Sequence, residues 1–275
     1  MNLDAYLKRI AYDGPLRPDF ATLKALHRAH LRAIPYENLD VQFGRRVTPD
    51  PAAAFEKIVT RKRGGWCYEM NGLFGLVLQE LGFKVTRSAG AVLRNERGDE
   101  AIGNHLVLKV ELEEGVVLAD VGFGDGPIDP IAVAPGPFVS HGFAFGLTQE
   151  NGWWRLNNHR GGGAASFDFN LAPANEALLS TRCWELQTAE DSPFVLNAVL
   201  QRHIAEGMWQ MRGRVLRKTT PTNQSDYLIA TAREYTGVLA EAFDLHLPEA
   251  ADLWPQICVR HDQIDAENER AQSAG

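Results

Sequence analysis

Along the first part of the chain, apolar residues recur on a helical period. Asp19 precedes Phe20-Ala21-Thr22-Leu23-Lys24-Ala25-Leu26, which reads as a helix with an acidic N-cap. Ala52 to Val59 is a second, short helical candidate. The most regular stretch starts near Cys67, where Met70, Leu73, Phe74, Val77, Leu78 and Leu81 form one stripe on a period of about 3.6 residues. Gly82 follows, where a left-handed C-terminal cap is expected. After Gly82 the period changes to two. Val85 to Leu93, His105 to Leu112, Val116 to Val121 and Trp153 to Leu156 read as strands. Arg97-Gly98-Asp99 and Glu113-Glu114-Gly115 read as turns, and Gly161-Gly162-Gly163 as a loop. Further on, Phe194 to Ala205 fits helix or strand, Arg214 to Lys218 fits a strand, and Tyr227 to Ala242 fits a helix. The polar tail from about Asp265 is expected to fray.

These patterns divide the chain into a helical segment, 1–82, a β-rich segment, 83–190, and a mixed segment, 191–275, an α+β arrangement. With 275 residues, 45% of them hydrophobic and 23% charged, a sizeable core is expected. No run of 18 apolar residues suggests a membrane span. The first residues show no basic stretch leading into an apolar one, so the expected compartment is the cytoplasm. A net charge of −7 argues against a nucleic-acid partner, and Arg61-Lys62-Arg63 is too short a basic cluster to reverse that. The three cysteines, Cys67, Cys183 and Cys258, are too sparse for a disulfide framework and lack metal-site spacing, so no metal is expected.

Cys67 stands apart from the other two. In Arg63-Gly64-Gly65-Trp66-Cys67-Tyr68-Glu69-Met70-Asn71-Gly72, two glycines allow a sharp turn, and the cysteine then opens a helix. The unpaired N–H groups and positive dipole end there favour a thiolate, and the local backbone amides suit a developing oxyanion. The plainer alternative is a buried cysteine packed between Trp66 and Tyr68. Cys183 and Cys258 follow no such turn and read as small buried hydrophobes.

A nucleophilic cysteine needs a base, and the base needs an orienting group. His105 opens one strand and Asp120 closes the next. If Glu113-Glu114 is a two-residue loop, Leu112 lies opposite Gly115 and Val107 opposite Asp120. His105 and Asp120 are then diagonal neighbours on one face, within reach of a hydrogen bond. The alternative is that Asp120 caps the turn at Gly122. His27 and His30, among Arg and Ala residues, read as solvated.

The segment Arg63 to Glu69 with Asn71 resembles the active-site motif of the arylamine N-acetyltransferases. Pro35-Tyr36-Glu37-Asn38-Leu39, Asn104-His105-Leu106 and Asp120-Val121-Gly122-Phe123-Gly124 resemble three further segments of that family, in the same order. The resemblance implies a Cys67–His105–Asp120 triad in a papain-like core. It also implies a helical first domain, a central antiparallel β-barrel and a C-terminal α/β lid. Acetyl-CoA is the implied acyl donor. Arylamines, arylhydrazines or N-hydroxyarylamines are the implied acceptors, consistent with xenobiotic metabolism by a monomer or homodimer. Glu37 and Arg63 are expected to pair, unless they are independent surface charges. Tyr36, Phe123 and Phe194 are candidates for an apolar wall around an aromatic amine, with Phe194 equally suited to the core. Gly124 and Gly126 are candidates for close approach of the pantetheine arm or pyrophosphate, against a simple turn. The same triad would also serve an amide synthase or a hydrolase or transglutaminase-like enzyme. A non-catalytic module that binds aromatic amines or CoA is the reading from another class.

Overall fold

The computed structural model describes residues 1–273. Helix α1 (Leu3–Arg9) leads to α2 (Phe20–Ala33), where Asp19 caps the N-terminus by accepting the Thr22 N–H at 2.8 Å. The short strand β1 (Tyr36–Glu37) and the single turn α3 (Leu39–Gln42) follow. Next, α4 (Pro51–Phe55) widens into a π-helical turn over Glu56–Thr60. Helix α5 (Cys67–Glu80) buries the predicted stripe, with Met70, Leu73, Phe74, Val77 and Leu78 fully enclosed. It ends as its sequence predicts. Gly82 has φ +87°, its N–H donates to the Gln79 carbonyl, and the Phe83 N–H reaches back to Leu78.

The middle of the chain supplies β2 (Lys84–Val92), the turn α6 (Arg94–Arg97), β3 (His105–Leu112), β4 (Gly115–Ala119), β5 (Ile131–Ala132), β6 (Gly136–Ser140), β7 (Phe143–Glu150), β8 (Trp153–Asn157) and β9 (Ser166–Phe169). They form one antiparallel sheet in the order β5-β4-β3-β2-β9-β8-β7-β6. The sheet curls, but β5 and β6 lie at opposite edges, so it is an open half-barrel rather than a closed barrel. Pro137, which has no N–H to donate, sits on the edge strand β6, where that lack costs least.

Helix α7 (Glu176–Thr188) and the turn α8 (Pro193–Leu196) lead into β10 (Val199–Ile204), β11 (Gly207–Arg212), β12 (Val215–Thr219) and β13 (Gln224–Leu228). Helices α9 (Ala232–Phe243) and α10 (Trp254–Ser273) complete the described chain. The ambiguous Phe194–Ala205 stretch thus contains both a helical turn and a strand. Tyr227 and Leu228, expected to start a helix, pair instead with β12, and the helix begins at Ala232. The tail does not fray at Asp265 but continues helical to Ser273, helped by His261–Asp265 at 3.4 Å and Arg260–Glu267 at 3.5 Å.

The second sheet runs β1-β10-β11-β12-β13. Its first strand comes from the otherwise helical opening segment, with Tyr36 opposite Gln201 and Glu37 opposite Leu200. On its other side Tyr36 bridges Gly65. The loop before Cys67 is therefore stitched, through β1, to the sheet of the last segment.

Candidate active site

Three elements meet where α5 begins. Trp66 is the N-cap of α5, and its side chain cannot accept the first free N–H groups. Glu69 answers from within the helix, its Oε2 accepting the Trp66 N–H at 3.3 Å. Cys67 is the first helical residue and is only 3% exposed. Gly64 is required there, because a Cβ would strike the Pro35 carbonyl.

The β3–β4 hairpin has the register of a two-residue loop. Leu112 faces Gly115 and Leu108 faces Ala119, which carries Val107 opposite Asp120. His105 Nε2 and Asp120 Oδ2 are 2.7 Å apart. Asp120 Oδ1 accepts the Asn71 side-chain N–H at 2.7 Å and the Gly122 N–H at 2.8 Å. Both readings of Asp120 are therefore satisfied at once: it holds the imidazole and it caps the turn. Burial works against its charge, but His105, Asn71 and Gly122 together keep the carboxyl below the usual carboxylate range. Gly122 packs so tightly on the helix that a Cβ would lie 2.7 Å from the Cys67 Cα.

Two residues support the pair: Asn71, which belongs to the motif around Cys67 but had no role assigned to it, and His27, which was expected in solvent. Asn71 lies one turn beyond Cys67 and bridges α5 to both strands, donating also to the Leu106 carbonyl at 2.6 Å and accepting the Val121 N–H at 2.9 Å. His27, expected in solvent, is 1% exposed and stands behind Asp120. Its Nε2 accepts the Asp120 backbone N–H at 3.2 Å, and its Nδ1 contacts the Ile128 carbonyl at 2.8 Å. That pattern defines a neutral ring, and burial moves its pKa down accordingly. His30 is also buried, 2.8 Å from the Tyr6 hydroxyl. Both histidines lie on the face of α2 that packs against Phe74.

Burial pushes the Cys67 thiol up, not down, against backbone hydrogen bonding from Leu106 and Tyr68. The expected effect of the helix start is present but outweighed by desolvation. The same cause raises Cys183 to about 12. Cys67 adjoins the strand that starts at His105, through the backbone of Leu106.

Of the aromatic candidates, Phe123 lies 5.7 Å from the His105 ring and 4.7 Å from Phe167. Tyr36 is buried, and burial followed by Cys67 raises its hydroxyl well above the usual range. Phe194 is more remote, packed edge-on against Trp66 at 5.4 Å. Gly124 has φ +85°, but the space its missing side chain leaves is occupied by Gln201; Gly126 faces Phe123. Between them Asp125 is buried and fully bonded to Asn158, Gly163, Gln201 and Gln210, a structural carboxylate that the glycine-rich motif concealed.

The Glu37–Arg63 pair is present, with Arg63 Nη2 2.8 Å from Oε1. It belongs to a larger buried assembly. Lys57 Nζ lies 2.9 Å from Glu69, 3.0 Å from Asp40 and 3.8 Å from Glu37, and Arg63 also reaches Asp40 at 3.3 Å. Among the described residues no group of three or more His, Cys, Asp and Glu side chains could hold a metal ion, and no helix is long and apolar enough to cross a membrane.

A buried thiol thus opens a helix against which the hairpin carrying an imidazole and a carboxylate is packed, in a mixed α/β fold. Residues 19–252 match the N-acetyltransferase family model. The chain belongs to the arylamine N-acetyltransferase family. It is 38% identical over 233 residues to the arylamine N-acetyltransferase of Mycolicibacterium smegmatis, covering 78% of this chain and 82% of that one. The structure of the Mycobacterium marinum arylamine N-acetyltransferase superposes with a TM-score of 0.86 at 30% identity, over 93% of this chain and 98% of that one. The same enzyme in complex with CoA gives 0.84 at 30% identity, over 95% and 99%.

Proposed function

We propose that this chain moves an acetyl group from acetyl-CoA to an arylamine, arylhydrazine or N-hydroxyarylamine through a thioester on Cys67. The observation that carries the reading is the 2.7 Å contact between His105 Nε2 and Asp120 Oδ2 on a hairpin packed against the start of α5. With Nε2 engaged, Nδ1 is the ring nitrogen left to exchange a proton with the sulfur.

The buried thiol does not ionise alone. Its proton passes to His105, and Asp120 stabilises the resulting imidazolium. The Cys67 thiolate adds to the thioester carbonyl of acetyl-CoA. Collapse of the adduct breaks the carbon–sulfur bond to CoA, whose sulfur takes the proton from His105 as it leaves. The exchange of one thioester for another is nearly balanced. The amine then attacks acetyl-Cys67, His105 accepts its proton, and the amide departs as the Cys67 thiolate is released. An amide is more stable than a thioester, so this half drives the cycle.

Tyr36, near the Cys67 sulfur, and Phe123, beside the His105 ring, suit a flat apolar acceptor; Phe194 supports that wall through Trp66. Gly124 and Gly126 are the candidates for backbone approach by CoA, and at Gly124 this requires Gln201 to give way. In this reading the segments 1–82, 83–190 and 191–275 act as nucleophile domain, histidine–aspartate domain and lid. The enzyme works in the cytoplasm on small molecules, as a monomer or homodimer and without nucleic acid.

Intact mass after mixing with acetyl-CoA alone tests the scheme. One added acetyl group on the parent protein, absent in Cys67→Ser, is the expected result. An unmodified mass, in a protein that still turns over acetyl-CoA and amine together, would overturn it. Sustained CoA release without any amine would favour hydrolysis.

A further inference from the structure

Lys57 lies in the π-helical turn Glu56–Thr60, a feature that often marks a functional position. A lysine with 3% exposure is costly to place unless its charge is met on the spot. Here the ammonium faces Glu69 from α5, Glu37 from β1 and Asp40 from α3, with the Arg63 guanidinium beside it. The contact with Glu69 differs from the other two in what it leads to. The oxygen that receives Lys57 at 2.9 Å, Oε2, is the one that accepts the Trp66 N–H at 3.3 Å. Trp66 is the N-cap residue, and Cys67 is the next residue of the chain. A single carboxylate oxygen therefore joins the buried cation to the backbone that positions the nucleophile.

Resting on the thioester reading above, we propose that Lys57 and Glu69 form a positioning pair. Lys57 holds Glu69 in its capping rotamer and cancels its charge, so that the Cys67 sulfur ionises against His105 without a second anion on the same helical turn.

Two residues apart in α5, an unneutralised Glu69 would oppose the thiolate through a dry interior, where charges interact strongly. The groups surrounding the sulfur cannot replace Lys57. Asp120 and Cys183 raise the thiol further, and Tyr36 contributes a neutral hydroxyl. Burial raises Glu69, as does Glu37, and Lys57 is the group that lowers it. Asp40 and Glu37 keep Arg63 as a partner when Lys57 is removed, whereas among the groups contacting the Glu69 side chain Lys57 is the cation.

The test compares the rate of Cys67 alkylation by iodoacetamide across pH in the parent, Lys57→Gln, Glu69→Gln and the double variant. Lys57→Gln is expected to displace the profile about one pH unit toward alkaline, which makes labelling about tenfold slower at pH 7. The double variant, in which a neutral amide oxygen still caps Trp66, is expected to return to within about threefold of the parent. Acetyl-CoA turnover should lose kcat with KM little changed. A superimposable profile for Lys57→Gln, or a double variant as slow as the single, overturns the pairing. If Lys57→Gln does not fold, Glu69→Gln and the double variant decide the matter. Lys57 facing a neutral partner should shift labelling to lower pH than in the double, and coincident profiles would refute the proposal. An acetyl adduct on the parent with no such shifts would leave the thioester reading intact. Absence of the adduct from the parent would remove that reading itself.

Discussion

Two buried polar assemblies grip the start of α5, and they treat charge differently. On one side Glu37, Asp40, Lys57, Arg63 and Glu69 form a closed set in which every charged group meets an opposite one. Burial works against the charge of Lys57, Arg63, Asp40 and Glu69, yet Lys57 and Arg63 are held charged by their carboxylates, and Asp40 is kept below its usual range by Lys57 and Arg63. On the other side Asp120 is also saturated, by His105, Asn71 and Gly122, but the set stays open at its outer end. In the proposed cycle the second imidazole nitrogen of this set exchanges a proton with the Cys67 sulfur. A closed network fixes geometry; an open one leaves a proton free to move.

The most damaging change to this contrast is Cys67→Ser. It should abolish the acetyl adduct and reduce amide formation to background in a spectrophotometric assay. Detectable adduct in that variant would place the nucleophile elsewhere. Next is Asp120→Asn. It leaves an acceptor for Asn71 or Gly122 but removes the charge behind His105, and turnover should fall by about a thousandfold or more. A loss below about tenfold would mean that His105 is oriented by something else. Glu37→Gln probes the closed side. Removing one member of a buried ion pair strands its partner, and unfolding should become easier by about 3–5 kcal/mol in denaturant titrations. The pair of results sharpens the comparison: Asp120→Asn should cost more rate than stability, and Glu37→Gln the reverse.

The smallest expected effect is a pH slope in stability. Burial lowers His203 to about 3 and moves His27 and His30 in the same direction. Neither ring nitrogen of His203 has a hydrogen-bond partner. As pH falls below about 6.5 the unfolded chain takes up protons that these folded rings refuse, so stability is complete above that pH and declines below it. Each such histidine contributes about 1 kcal/mol per pH unit to the decline. Unfolding at pH 7, 6 and 5 should show the slope, and His203→Gln should flatten it; an unchanged slope would assign it to other groups.

Legibility in the sequence followed the range of the interaction. The α5 stripe and its glycine cap were readable because both arise within a few turns of one helix. The hairpin register was readable because loop length fixes parity. Strand β7 carried a readable signal too, since Phe143, Phe145 and Leu147 alternate inward, although it was not among the expected strands. Helix α7 offered little, as only Leu179 and Cys183 are buried along it. Strand β13 offered none, being exposed throughout and defined by pairing with β12. Lys57 fell within the short helical candidate Ala52 to Val59 with nothing local to mark it, and His27 read as solvated.

By itself the sequence determined which groups are available to the proposed chemistry: a thiol at a helix start, and an imidazole and a carboxylate on the two neighbouring strands of one hairpin. Period, cap and turn length are local properties, and they survive translation into structure. Tertiary packing decided the surroundings. His27 reaches Asp120 across 93 residues of chain, Lys57 is enclosed by three separate elements, and the Cys67 thiol is raised by burial despite its place at a helix start. Desolvation depends on every segment that covers a group, and no window of sequence contains them all.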